Sequence, residues 1–169
     1  MNIIGIAILG NLGAVAHAEQ ADVRAQRTIN APQRQVFEYL LDLRNQPNIW
    51  PEDCATNYEV GDKPMGVGAE TRLTYRVGAW KRTLDARISS ALPSERIDVD
   101  HTGKKGFTTT WTIEAVGDLS KVSVDTWVSA PPRPFVRFYE RRVRPGWTAC
   151  HSGALDNLAK AVTQAGRSD

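Results

Sequence analysis

Apolar and polar positions alternate through the middle of the chain. Thr56–Val60 alternates, and Leu73, Tyr75 and Val77 share one face of Thr71–Val77. Trp80, Leu84, Ala86 and Ile88 oppose Lys81, Thr83, Asp85 and Arg87; Ile97, Val99 and His101 oppose Asp98 and Asp100. Phe107, Thr109, Trp111, Ile113 and Ala115 line one face of the next run, and Val122, Val124, Thr126 and Val128 recur after it. A period of two marks a half-buried strand. Gly61-Asp62-Lys63-Pro64, Gly66-Val67-Gly68, Gly78-Ala79, Leu92-Pro93-Ser94-Glu95, Thr102–Gly106 and Gly117-Asp118 separate the runs as turns. The pattern predicts an antiparallel meander with one face solvated and the other covered.

The spacing becomes helical towards both ends. A short strand, Arg24–Ile29, leads into Ala31-Pro32, and Pro32 suits a first helical turn because its φ is fixed and it has no N–H to satisfy. Val36, Phe37, Leu40, Leu41 and Leu43 then fall on one helical face, before Arg44-Asn45-Gln46-Pro47 and Ile49-Trp50-Pro51. Near the C-terminus, Trp147, Cys150, His151, Ala154, Leu155, Leu158, Ala161 and Val162 recur at helical spacing, with Asp156, Lys160 and Gln164 opposite. A helix from about Thr148 to Gln164 is predicted to cover the sheet. Phe135–Val143 reads as a separate helical section, broken at Pro145. Strand, helix, a run of strands and a long helix make an α+β domain.

The stretch Thr28–Pro51, TINAPQRQVFEYLLDLRNQPNIWP, carries a resemblance. Its order of strand, Ala-Pro, amphipathic helix, Asp and Trp-Pro turn is similar to the opening of the START-like (SRPBCC) superfamily. That group holds the polyketide cyclase/dehydrase-like and lipid-transfer-like domains and the birch-pollen-allergen type. The resemblance extends from Val23 to Val162, with Gly68 matching the glycine that opens the strand after the loop. It implies a helix-grip fold, a curved antiparallel sheet of six to seven strands wrapped around a long C-terminal helix with an apolar cavity between. It further implies binding or transport of a hydrophobic small molecule such as a lipid, an isoprenoid or an aromatic polyketide-like compound. A polyketide cyclase or dehydratase using the same cavity is the alternative.

Composition sets limits on this. The chain has 169 residues, 41% apolar and 24% charged, with a net charge of +2. That suits one globular domain, here placed at residues 23–165, and gives no support to nucleic-acid binding. Residues 3–16 are apolar and uncharged, and Ala16-His17-Ala18 follows as a small-x-small cleavage pattern. The run is shorter than the ~20 residues that span a bilayer. Residues 1–18 are therefore expected to be a signal peptide, which makes the protein exported or periplasmic; without cleavage it would be cytoplasmic. In an oxidising compartment Cys54 and Cys150 can pair; two unpaired buried thiols are the alternative.

Candidate chemistry follows from the inward faces. Tyr58, Leu73, Tyr75, Trp80, Val99 and Trp111 from strands, with Trp147 and His151 from the last helix, are expected to line a ligand site. Leu84, Ile97, Phe107, Val124 and Leu155 share those faces, and aromatic walls suit a flat ligand. Arg82, in register with Trp80 and Leu84, is expected to anchor a polar end or to reach solvent at an edge. His101 and His151 can orient a carbonyl or move a proton, or can be hydrogen-bonded core residues. No metal and no cofactor is expected: Glu52-Asp53-Cys54 has no histidine nearby, and phosphate-loop, serine-elbow and His-Glu-x-x-His patterns are absent. Arg133, Arg137, Arg141, Arg142 and Arg144 interleave with Phe135, Phe138 and Tyr139, as in a segment that touches an anionic membrane, although a solvated face paired through Glu140 fits the same composition.

Overall fold

The computed structural model describes residues 22–78, 80–103, 106–128 and 133–165. The expected signal peptide, residues 1–18, lies outside them. Seven strands form one antiparallel sheet: β1 (Val23–Ile29), β2 (Ala55–Val60), β3 (Glu70–Val77), β4 (Trp80–Leu92), β5 (Arg96–Thr102), β6 (Phe107–Val116) and β7 (Leu119–Val128). Their order is β1-β7-β6-β5-β4-β3-β2, so the meander runs from β2 to β7 and the first strand adds at the far edge. Helices α1 (Gln33–Leu41) and α2 (Gln46–Ile49) join β1 to β2. After β7 come Arg133–Phe135 as a 3₁₀ turn, α3 (Val136–Phe138), a π-helical turn over Tyr139–Val143, and α4 (Arg144–Ala165). This is the helix-grip architecture, a curved half-barrel of seven strands gripping α4.

The alternation sorts the faces as expected. Leu73, Tyr75, Val77, Leu84, Ala86, Ile88, Ile97, Val99, Trp111, Ile113, Val122 and Val124 are buried on the concave face. Trp147, Cys150, His151, Ala154, Leu155, Leu158 and Val162 of α4 are buried against them. Ala115 departs from the expectation: it is exposed, because β6 continues past the covered part of the sheet into the turn at Gly117.

Two helix boundaries also differ. Asp42 is extended, and its carboxylate accepts from the backbone N–H and the guanidinium of Arg44. This local bond ends α1 before Leu43, which opens a 3₁₀ turn instead. Pro145 does not break the last helix. It sits in the first turn of α4, where a missing N–H costs little, and the preceding residues widen into the π turn, with Arg144 N–H reaching the Tyr139 carbonyl.

A disulfide between Cys54 and Cys150 ties the corner after α2 to the middle of α4. At the opposite end of the interior, Gly78 turns β3 into β4 with φ +56°, and a Cβ there would lie 2.2 Å from the Arg142 carbonyl oxygen. Only glycine lets the β3–β4 hairpin seat this closely under the π turn.

Candidate ligand-binding interior

The space between sheet and α4 is filled with rings. Trp50 meets Tyr75, Trp111 and His151 edge-on, with centroids 5.9, 6.0 and 5.6 Å apart. Phe107 meets Tyr75 at 5.5 Å and Trp147 at 5.0 Å. These edge-to-face contacts are the preferred geometry for aromatic side chains. What remains enclosed is a cavity of about 10 Å³, room for roughly one water.

Leu73, Tyr75, Val99, His101 and Trp111, all expected from the strand faces, border that cavity. Leu43, Ala86 and Thr109, read on the apolar faces but not named for the site, border it too, as do Gln46, Trp50 and Thr71, which the pattern did not single out. In the sequence Trp50 stood out only as a turn marker. The usable signal was its spacing from Gln46: one helical turn apart, they bond from Trp50 Nε1 to Gln46 Oε1 at 2.7 Å.

The other candidates lie elsewhere. Trp147 is buried just behind Tyr75, 5.6 Å between rings. Trp80 is half-buried at the start of β4, 5.8 Å from Trp147 and 6.3 Å from Phe107. Tyr58 is half-buried on the edge strand β2 and donates to the Ala55 carbonyl at 3.2 Å; burial raises its hydroxyl pKa. Arg82 pairs in register with Tyr75 but is exposed, and its Nη1 donates to the Lys81 carbonyl at 2.7 Å. The register is as expected, but the side chain is exposed and bonded to the neighbouring carbonyl, so Arg82 stands outside the cavity lining.

The two inner histidines differ. His151 is satisfied on both nitrogens: Nδ1 lies 2.6 Å from the Trp147 carbonyl oxygen and Nε2 lies 2.8 Å from Thr126 Oγ1. Thr126 Oγ1 in turn lies 3.1 Å from Thr109 Oγ1. Burial lowers the pKa of His151, opposed by the Trp147 hydrogen bond and the field of Asp125. Asp125 itself faces the other side and is held by Arg24. His101 is 5% exposed, stacks on Phe107 at 4.1 Å and meets Tyr75 edge-on at 5.4 Å. Neither of its ring nitrogens has a partner. Burial, and next the field of His151, push its pKa down to about 3, so the ring is neutral. Both cysteines are spent in the disulfide.

A sequence model of the family described as polyketide cyclase/dehydrase and lipid transport matches residues 20–163. The chain belongs to this family. Among solved structures, the family member superimposes on TTHA0849 from Thermus thermophilus with TM-score 0.70 at 18% identity, covering 85% of this chain and 97% of that one. KanY gives 0.68 at 22% identity, covering 83% and 95%. Zhui aromatase/cyclase from Streptomyces sp. R1128 gives 0.60 at 17% identity, covering 83% and 92%. At these identities the likeness is one of fold. No curated protein sequence matches the chain.

Proposed function

We propose that this family member binds and carries a hydrophobic small molecule between its sheet and α4. The observation that carries the reading is His101, a neutral imidazole beside aromatic rings that borders the cavity and whose two buried nitrogens are met by no protein group. Buried polar atoms are nearly always paired, so an unpaired one on a residue that borders a cavity suits a ligand. The enclosed space is small, so the ligand would enter by parting the rings.

A cyclase or dehydratase has less support. It needs an acid–base pair in reach of substrate with pKa values near the working pH. His101 is a poor base at about 3, and no carboxylate borders the cavity among the described residues.

The segment before α4 suits delivery at an anionic membrane surface. Phe135, Val136 and Phe138 are exposed on the segment that leads into α4, and Arg137 and Arg141 are exposed beside them. Arg144 is paired with Glu140 and is not part of this face. Arg133 belongs to the same stretch of sequence. Export is supported by the Cys54–Cys150 bond, which persists in oxidising compartments.

Native mass spectra of the purified protein, before and after mild denaturation, test the reading. A retained apolar mass that leaves on denaturation is expected. A bare protein mass that also takes up no apolar compound from solution would reject it.

A further inference from the structure

The β3–β4 hairpin changes character along its length. Away from the turn its charges are matched across the strands: Arg72 lies 3.3 Å from Asp85, and Arg87 lies 3.6 Å from Glu70. Towards the turn only cations remain. Arg76 and Lys81 are Cα partners and both are exposed; Arg82 follows, also exposed. Like charges directly opposite each other in a sheet cost stability. Among the described residues no carboxylate pairs with any of the three, and Arg82 reaches only the Lys81 carbonyl.

The helical segment before α4 repeats this pattern. Arg137 and Arg141 stand four residues apart in one helical run, a like-charge spacing that also costs stability. Both are exposed, as is Arg142, and none of the three has a carboxylate partner among the described residues. The acid within the segment, Glu140, is taken by Arg144 at 2.9 Å. Phe135, Val136 and Phe138 of the same segment are 58%, 41% and 52% exposed.

Hairpin and segment meet through their backbones. A Cβ on Gly78 would lie 2.2 Å from the Arg142 carbonyl oxygen, and one on Gly146 would lie 3.0 Å from the Gly78 nitrogen. Arg76 and Lys81 are within three residues of Gly78, about 10 Å or less along a strand. The two sets of unpaired cations therefore belong to one end of the molecule, locked together at that contact.

We propose that the β3–β4 hairpin and the segment before α4 form a single docking surface for an anionic lipid bilayer. Phe135, Val136 and Phe138 would enter the apolar boundary of the lipid, and the cations of both elements would meet its phosphates. This rests on the membrane-delivery reading above and adds the hairpin to it. An anionic partner relieves the repulsion at Arg76–Lys81 and at Arg137–Arg141, which nothing in the fold relieves. Apolar side chains set among guanidinium groups select a bilayer, whose interface takes up both. Arg82, outside the cavity lining, has its place here.

Sedimentation of the purified full chain with vesicles tests this. One set is phosphatidylcholine alone, the other an equal mixture with phosphatidylglycerol. The unaltered protein is expected to partition about tenfold or more tightly into the mixture, and less so as salt rises. The hairpin variant Arg76→Gln with Lys81→Gln and the segment variant Arg137→Gln with Arg141→Gln should each lose about tenfold or more. Phe135→Ser with Phe138→Ser should also weaken partition. Both charge variants should melt no lower than the unaltered protein, because each removes a repulsion. Full partition by the hairpin variant beside weakened partition by the segment variant would overturn the inference and leave the membrane-delivery reading standing. A lower melting point for the hairpin variant would make Arg76 and Lys81 parts of the fold and overturn their assignment. Charge-dependent partition that ignores the loss of both rings would give the surface to a soluble polyanion and overturn the bilayer. Equal partition into the two vesicle types, or none, would remove both readings.

Discussion

His101 and His151 lie in the same interior, both shielded from solvent, and are treated in opposite ways. Around His151 every polar atom has its counterpart, from the Trp147 carbonyl through Thr126 to Thr109. Around His101 there are rings on two sides and no hydrogen-bond partner. A satisfied buried imidazole fixes the helix against the sheet and adds to uniqueness of the fold. An unsatisfied one only subtracts from stability. The region near His151 is built for the protein itself, and the region near His101 is left open to something else. Rules that hold throughout a fold tend to be broken where function sits.

Acid should expose both histidines with the largest effect. Each is held below its ordinary value of 6.5, His101 at about 3. The unfolded chain therefore binds protons that the folded chain refuses. The stability is complete above pH 6.5 and is lost as pH falls, down to about 3 for His101, by at most about 1.4 kcal/mol per pH unit, and His151 adds a loss of the same sign. Denaturant midpoints measured from pH 7 to pH 4 should fall throughout this range. Asp42, held low by Arg44, adds its share only in the carboxylate range below. A flat profile above pH 5 would contradict the burial of both rings.

Next comes the clamp beside His151. Replacing Cys54 and Cys150 by serine opens a loop whose ends are 96 residues apart, at a cost of about 3–5 kcal/mol in urea titration. His151→Ala should cost about 3 kcal/mol, since it strands the Thr126 hydroxyl and leaves a hole. The smallest effect has the opposite sign. His101→Phe should stabilise the protein by about 1 kcal/mol, by replacing two unmet nitrogens with carbon, and should flatten part of the acid slope. Thermal melts of the two histidine variants side by side sharpen the contrast: if both fall, His101 is a structural residue like its neighbour.

Much of the fold was legible because a half-buried sheet writes its faces as a period of two. Leu73, Tyr75, Val99, His101 and Trp111 were placed on the inward faces by alternation, and the family resemblance supplied the cavity beside them. Alternation does not say which inward-register positions are covered, so Arg82 and Ala115 were assigned inward although both are exposed. It is also blind to side chains that arrive from outside the sheet. Trp50 and Gln46 reach the cavity from α2 and the turn after it, and their four-residue spacing was short enough to pass as a turn. The difference between His101 and His151 had no sequence signal, since it depends on Thr126 and on a carbonyl one helical turn upstream. The size of the cavity was equally hidden: a lined space and a filled one share one pattern.

Four of the five tryptophans, Trp50, Trp80, Trp111 and Trp147, surround the interior, while Trp127 is half-buried on the outer face of β7 beside Thr108. Trp50 lies 6.0 Å from Trp111, and Trp80 lies 5.8 Å from Trp147. Chromophores this close share their excitation. The interior is thus its own optical sensor: a guest that parts either pair changes the near-ultraviolet circular dichroism and the emission together, with no label attached, and Trp127 supplies the steady background.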